Sequence, residues 1–491
     1  MTNSNINTNP SIDSHTDSNP NIAAVGAYAP RFRITADEFR DAWGQFHAAR
    51  VNEKAVPEAD EDALTMAYEA GKRTLSAAGN PDVSFFAFAS TTPPMAEEDP
   101  TPRLGGMLGV PETAARHVFT GSTRAGTRAL VAGLSAGPWE DGVGLVVAAD
   151  CPRGKPDSAE EHGAGAGAAA FVLDANGSAN VVQQAEYGSE FPGTRFRRTG
   201  EEAIEGLGVT GYDRRAFSET LAGAVERLNF DVADVDVACV QAPDGKFPYR
   251  AAGALGVGTE EIQTGVLVHE LGDTGAASVP LSLAKALSDG HERILAASFG
   301  SGAGADALLV EARDVPASIA LDGDDRVSYA EYLRKRGDLT SGPPSGGGAY
   351  VSVPSWRRTL DQRHRLLAGK CPDCDALNFP PEGACSGCKT LVEYDDARLT
   401  GAGTVEAVTT ISQGGAPPEF AEQQAKSGDF DVAIVALDGP DGDTASAPAQ
   451  VTGADPGTLE IGDSVETTMR RIYTQEGVTR YGFKIRPRTE F

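Results

Sequence analysis

The order helix, strand, helix, strand is written twice in the first 312 residues, and this repetition constrains the fold more than any other feature of the chain. DALTMAYEAGKRTLSAAG, from 62, has helical periodicity and runs into the strand-like SFFAFAST, while DRRAFSETLAGAVERLNF, from 213, runs into DVACVQAP. A second pair of helical segments follows, AGTRALVAGLSAG from 125 and GAASVPLSLAKALSDG from 275, and then the apolar runs GVGLVVAAD and ERILAASF. Both halves close on nearly one phrase, AGAGAAAFVLDA from 164 and SGAGADALLVEA from 301. Short β-rich apolar runs between amphipathic helices predict buried α/β sheets in two related halves, about 23–175 and 180–312.

Residues 1–22 are rich in Asn, Ser and Thr and predict a disordered tail; no basic start precedes an apolar run, as a signal peptide requires. No stretch of about 18 apolar residues occurs, which excludes a membrane-spanning helix. Acidic residues outnumber basic ones 70 to 42, for a net charge of −28, and only ten of the cations are lysines. Such a surface predicts adaptation to high salt, where screening relieves self-repulsion. It also argues against nucleic acid, whose phosphates need a basic footprint.

Four of the six cysteines, Cys371, Cys374, Cys385 and Cys388, form two Cys-x-x-Cys pairs within GKCPDCDALNFPPEGACSGCKT. Two such knuckles complete the tetrahedral four-sulfur shell that suits zinc, with no position left for water or substrate, so the metal is expected to be structural. Two disulfides would need an oxidising compartment, and a redox motif normally comes singly beside a βαβ unit. Cys151 and Cys239 read as buried small hydrophobes of a cytoplasmic protein. Between the repeat and the cysteines, residues 313–355 read as a connector holding one helix, YAEYLRKRG, and the linker TSGPPSGGGAY at 340–350. A zinc ribbon with a leading helix is expected over 356–395. Beyond it, 396–491, short alternating runs such as GTVEAVTTI, DVAIVALDG and YGFKIRP predict a small antiparallel barrel.

GAYAPRFRI at 26–34, KAVPEADEDALTMAYEA, QAPDGKFPYRAAGALGV at 241–257 and GDTGAASVPLSLAKAL at 272–287 resemble archaeal HMG-CoA synthase, a condensing enzyme of the thiolase superfamily. The cysteine motif and barrel resemble the rubredoxin-like zinc ribbon and OB-fold protein that bridges HMG-CoA synthase to acetoacetyl-CoA thiolase in archaea. The resemblance implies a duplicated thiolase-like (αβαβα) α/β domain followed by a small zinc ribbon and an all-β OB-fold barrel. It implies CoA or acyl-CoA as ligand, a thiolase-family enzyme as partner and a homo-oligomer by default.

The chemistry of that family uses a cysteine at a helix N-terminus as acyl acceptor, a histidine that positions the acetoacetyl thioester, and a glutamate that manages the proton of the acetyl methyl group. Carried over by motif, the cysteine falls on Thr123 in Ser122-Thr123-Arg124-Ala125-Gly126-Thr127, and the histidine on Gln241 in Gln241-Ala242-Pro243-Asp244-Gly245-Lys246-Phe247-Pro248. The glutamate falls on Thr91, and the neighbouring asparagine on Asp273. A threonine hydroxyl needs an adjacent base, and glutamine cannot take up a proton. The expectation is therefore a scaffold that keeps the fold and the acyl-CoA groove without condensing. The alternative is an active acyltransferase, of HMG-CoA synthase or ketoacyl synthase type, working through Ser122 or Thr123 with Asp273, His162 or His269 as base, or through a displaced Cys151. Lys246 and Arg250 are the candidate cations for CoA phosphates.

Overall fold

The structure, a computed structural model, describes residues 20–231, 234–340, 351–412, 414 and 416–488. Most of the expected tail (1–19) and of the expected linker (341–350) therefore lies outside the described residues. The first half supplies β1 (Asn21–Tyr28), β2 (Phe32–Thr35), β3 (Glu53–Val56), β4 (Val83–Ala89), β5 (Ala115–Phe119), β6 (Val143–Asp150) and β7 (Gly167–Asp174). The second supplies β8 (Ala179–Phe191), β9 (Val237–Val240), β10 (Arg293–Gly300) and β11 (Gly302–Ala312).

One sheet runs β5-β4-β6-β7-β1-β8-β11-β10-β9, so the order β4-β6-β7-β1 is mirrored by β9-β10-β11-β8, and the halves meet where Ile22 of β1 pairs with Ala179 of β8. The duplication in the sequence is thus a duplication in space. Helices Ala125–Ala136 and Ser278–Ser288, one from each half, share a central core with residues of β1, β6, β7 and β10. Helix Ala63–Ala77 covers the outer face of the first half and Thr210–Val225 that of the second, which completes five αβαβα layers. Gly126 marks where the central helix meets its opposite: a Cβ there would lie 2.3 Å from the carbonyl oxygen of Ala276.

The connector carries more structure than its sequence promised. β12 (Ala317–Ala320) pairs in parallel with β1, β13 (Asp325–Arg326) extends the small sheet β13-β2-β3, and helix Tyr329–Arg336 starts on a Ser328/Glu331 capping box. Two short helices, Val353–Arg358 and Leu360–Arg365, then lead to the ribbon strands β14 (Leu367–Lys370), β15 (Leu377–Asn378) and β16 (Asp395–Arg398). Five antiparallel strands follow: β17 (Ala402–Ile411), β18 (Phe430–Asp438), β19 (Thr444–Gln450), β20 (Ser464–Gln475) and β21 (Val478–Pro487), in the order β19-β18-β17-β20-β21. The Thr452 N–H donates to the Ile485 carbonyl at 2.8 Å and nearly closes the barrel. Ribbon and barrel form one unit, because Leu366, Ala368, Leu377 and Ala397 share a core with Val405, Val435, Leu437 and Ile485.

The barrel is also docked on the first half. Met469 of β20 and Tyr481 of β21 belong to the same apolar cluster as helix Ala63–Ala77. Around them Arg470 pairs with Glu69 (2.9 Å) and Glu61 (3.2 Å), Lys484 with Asp60 (2.8 Å) and Arg486 with Glu69 (2.8 Å). Thr468 donates to Glu69 at 2.6 Å, and Tyr481 to Asp62, the N-cap of the helix, at 2.6 Å. Asp60, Glu61 and Glu69 are nearly inaccessible; Glu69 has 1% of its surface exposed. Burial pushes the Glu69 carboxyl up, but Arg486 and Arg470 more than offset this and hold it well below the usual range.

Candidate functional site

The four carried-over positions come together around one loop, Asp273–Ala276, which leads into helix Ser278–Ser288. Gln241, just beyond β9, donates through Nε2 to the Gly275 carbonyl at 3.1 Å. The Asp273 carboxylate accepts the Gly275 N–H at 2.9 Å and is ion-paired with Arg195. Thr91, at the end of β4, donates through Oγ1 to Asp150 at 2.6 Å, and Asp150 also accepts the Ala276 N–H at 2.8 Å. Thr123 lies two residues ahead of helix Ala125–Ala136, whose Gly126 presses on Ala276.

The local chemistry of each group is restricted. Thr123 is buried and donates its hydroxyl to the Phe299 carbonyl at 2.6 Å, its only side-chain hydrogen bond among the described residues. That partner is an acceptor and cannot remove a proton. Gln241 is 2% exposed, and its Oε1 has no hydrogen-bond partner among the described residues. Asp273 is committed to Arg195 and Gly275, with no hydrogen bond to Ser122 or Thr123 among the described residues. Asp150, which the sequence did not single out, is a fully buried hub accepting from Ser90, Thr91, Thr92 and Ala276. Gly275 has φ +53° and faces it: a Cβ there would lie 2.2 Å from Asp150 Oδ2, so the turn needs glycine.

The other candidates lie apart from this loop or are inert beside it. Burial first, and the Asp150 charge second, push the Cys151 thiol up to about 12, opposite to what a nucleophile needs. His162 is fully buried, accepts the His47 N–H at Nδ1 and stacks on Phe46; burial above all lowers its pKa to about 4, so it is a neutral core residue. His269 spends Nδ1 on the Arg50 carbonyl at 2.6 Å and Nε2 on the Tyr249 hydroxyl at 2.9 Å. Lys246 and Arg250 are exposed at the two ends of the short helix Phe247–Arg250, and neither has a carboxylate partner among the described residues. Two arginines missed from the sequence reach the centre from the arm between β8 and helix Thr210–Val225: Arg195, on Asp273, and Arg197, which donates to the Thr91 carbonyl at 2.6 Å. Their sequence signal was TRFRRTG, three arginines within four residues of an acidic chain.

In the ribbon the thiols of Cys371, Cys374, Cys385 and Cys388 all lie within 4.8 Å of one another. The Sγ–Sγ distance is 3.7 Å for Cys371–Cys388 and 3.6 Å for Cys374–Cys385. Zinc–sulfur bonds of about 2.3 Å in a tetrahedron require sulfur edges of about 3.8 Å, so the donor set fits zinc. The Gly387 N–H and the Asn378 amide both point at Cys385 Sγ, orienting it as such outer donors do in metal sites. Four sulfurs fill the shell, which makes the site structural.

The duplicated five-layer fold, with its buried loop at the meeting of the two central helices, defines a condensing-enzyme-like protein of the thiolase superfamily. Solved structures share it: MvaS in complex with 3-hydroxy-3-methylglutaryl coenzyme A superposes with a TM-score of 0.56 at 18% identity, covering 69% of this chain and 98% of that one. The 3-oxoacyl-[acyl-carrier-protein] synthase III of Aquifex aeolicus gives 0.53 at 17% identity, over 60% and 99%. The hydroxymethylglutaryl-CoA synthase of Archaeoglobus fulgidus is 32% identical over 338 residues, which cover 64% of this chain and 98% of the relative. The chain belongs to the hydroxymethylglutaryl-CoA synthase family. Residues 358–392 match the family described as ChsH2, rubredoxin-like zinc ribbon domain, so a zinc ribbon is joined to the synthase-like region.

Proposed function

We propose that this protein is a non-condensing member of its family, an acyl-CoA-binding scaffold that holds a thiolase-family enzyme beside its own thioester groove. The observation that carries the reading is the Thr123 hydroxyl, fixed to the Phe299 carbonyl at the place of the acyl acceptor, with Gln241 at the place of the histidine. Groups that act as a unit in catalysis lose most of the rate when one is removed, and here three are replaced. Lys246 and Arg250, exposed and without a carboxylate partner among the described residues, are assigned to CoA phosphates, in keeping with the CoA ligands named for solved relatives. The zinc-stabilised barrel, which we read as an OB-fold, is assigned to the thiolase partner. The acidic, lysine-poor surface is read as that of a cytoplasmic, salt-adapted protein that assembles as a homo-oligomer.

The test is incubation of the purified full-length protein with acetyl-CoA and acetoacetyl-CoA in molar salt, with thioester turnover and intact mass followed together. The reading expects CoA binding without turnover or adduct, and co-purification with a thiolase-family enzyme. An acyl adduct on Ser122 or Thr123, or formation of a condensed product, overturns it in favour of an active acyltransferase.

A further inference from the structure

A cavity of about 30 Å³ lies where β20, the turn Pro418–Phe420 and the short helix Ala421–Ser427 of the barrel meet Ala59 and Asp60 of the first half. Asp60, Glu419, Gln423 and Tyr473 line it. One side-chain oxygen of each, Oδ1, Oε2, Oε1 and Oη in turn, is buried with no hydrogen-bond partner among the described residues. Asp60 as a whole is only 3% exposed. Buried polar atoms are rarely left unmatched, and four around one small space need a common reason.

The protein's own cations are engaged elsewhere. Lys484 holds Asp60 by its other oxygen, Oδ2, at 2.8 Å, while Arg470 Nε stays 3.9 Å from Oδ1. Of the two cations that line the cavity, Lys426 pairs with Glu422 at 2.7 Å and Arg471 lies 3.9 Å from Asp62. Arg363 and Arg480, whose charges reach Tyr473, sit over the Trp356 ring at 4.4 and 5.1 Å from its centroid. Glu419 makes no ion pair among the described residues, so one carboxylate charge is left without a countercharge at the cavity. Burial above all pushes the Tyr473 phenol up, which keeps it a neutral oxygen at ordinary pH. Two carboxylate oxygens and a carboxamide oxygen can only accept, and a water has two protons to give, so a single water leaves an acceptor unmatched. A hard cation is bound by carboxylate, carbonyl and hydroxyl oxygens alike, and the space takes one such ion with at most about one water.

We propose that a single alkali-metal cation, K⁺ or Na⁺, is bound in this cavity by the oxygens of Asp60, Glu419, Gln423 and Tyr473 and fastens the barrel to the first half. One positive charge answers the one uncompensated carboxylate, which selects a monovalent ion over a divalent one. Asp60 comes from the first half and the other three ligands from the barrel, so the site is complete only when the barrel is docked, and the ion draws the equilibrium to that state. A larger cleft of about 370 Å³ shares Asp60 and Gln423 with the cavity, and exposed Asp324 and Asp455 on its walls attract cations towards it. The proposal is independent of whether the centre at Asp273–Ala276 condenses thioesters.

The test keeps the full-length, zinc-loaded protein at about 1 M total chloride while tetramethylammonium is replaced stepwise by K⁺, Na⁺ or Rb⁺, so that screening is constant and only the ion changes. Hydrogen exchange of Ser464–Gln475 reports docking. An ion that binds only the docked state slows this exchange by the factor 1 + [ion]/Kd, about elevenfold at about ten times Kd, and the K⁺ and Na⁺ curves show which of the two is preferred. Glu419→Gln and Tyr473→Phe should each lose most of the alkali-specific slowing while exchange in tetramethylammonium chloride stays as in the unaltered protein; a purely structural role for these residues would instead speed exchange equally in every salt, and that result counts against the site. Crystals soaked in RbCl should show an anomalous peak among the four oxygens. Equal exchange in all the chlorides, or an ordered water in the cavity with no Rb⁺ signal, overturns the proposal.

Discussion

Arg470→Met tests what holds the barrel in place. In the folded protein three cations, Arg470, Lys484 and Arg486, face three carboxylates, Asp60, Glu61 and Glu69, and all but Arg486 are at most 4% exposed. The substitution removes the cation that pairs with both Glu61 and Glu69, in a site whose carboxylates are buried. Methionine fills most of the space, so the loss is electrostatic rather than a cavity, and removal of one partner from a buried pair costs about 3–5 kcal/mol. Burial already pushes the Glu61 carboxyl up, against the pull of Arg470, so without that arginine Glu61 is the group that takes a proton. A carboxyl whose folded pKa is raised binds more protons folded than unfolded, and stability then falls as pH rises through that pKa. The variant should therefore be weakest near pH 8 and recover part of its loss near pH 5, in the direction expected from an ordinary carboxylate near 4.3. Urea unfolding at both pH values, with hydrogen exchange of Ser464–Gln475 as the local probe, measures both effects. A loss below about 1 kcal/mol at pH 8 would mean that the pairs behave as solvated surface contacts, and the docking argument would fail.

In the unaltered protein Glu69 is held well below the usual range, so its contribution is present above about pH 4.3 and lost as the pH falls towards its depressed value; acid titration should expose the β20 and β21 amides before those of β6 and β10. Chelation of zinc should unfold the ribbon and loosen the barrel with which it shares a core, while the two-halved domain keeps its circular dichroism and protease resistance; an unchanged tail would count against the structural metal. Thr123→Cys should become acetylated by acetyl-CoA, because the position lies at the start of a central helix where a thiolate is favoured, and intact mass would show the adduct. Cys151, half-buried and with its thiol pushed up to about 12, should react with iodoacetamide at pH 8 more slowly in the folded protein than once it is unfolded; fast alkylation of the native protein would refute the raised thiol.

The two halves were legible because period and order survive in each, and the ribbon because four cysteines at fixed spacing leave few alternatives. Asp150 was not legible: it closes a strand as an ordinary polar residue, and only the fold brings Thr91 and Ala276 to it. Arg195 and Arg197 fall ahead of the first repeated helix, outside the phrases that carry the repeat, so the repeat did not mark them. The docking face was hidden for a different reason. Asp60, Glu61 and Asp62 just ahead of a helix read naturally as complements to its dipole, and Asp62 does cap it. Asp60 and Glu61 instead turn to cations more than 400 positions further on, on strands whose alternation at Thr468 and Arg470 shows a polar face but not what it meets.

The docked barrel also bears on how such a fusion persists. Of this chain, 64% matches 98% of the Archaeoglobus relative. Here the outer helix Ala63–Ala77 carries Glu69 at a site with 1% exposure, served by Thr468, Arg470 and Arg486 from the far end of the chain. A chain cut after the connector would release these carboxylates with their countercharges gone and an apolar patch around Met66 and Tyr68 uncovered. The attachment works as a ratchet: once acids on the host face have come to depend on the guest's arginines, losing the guest damages the host.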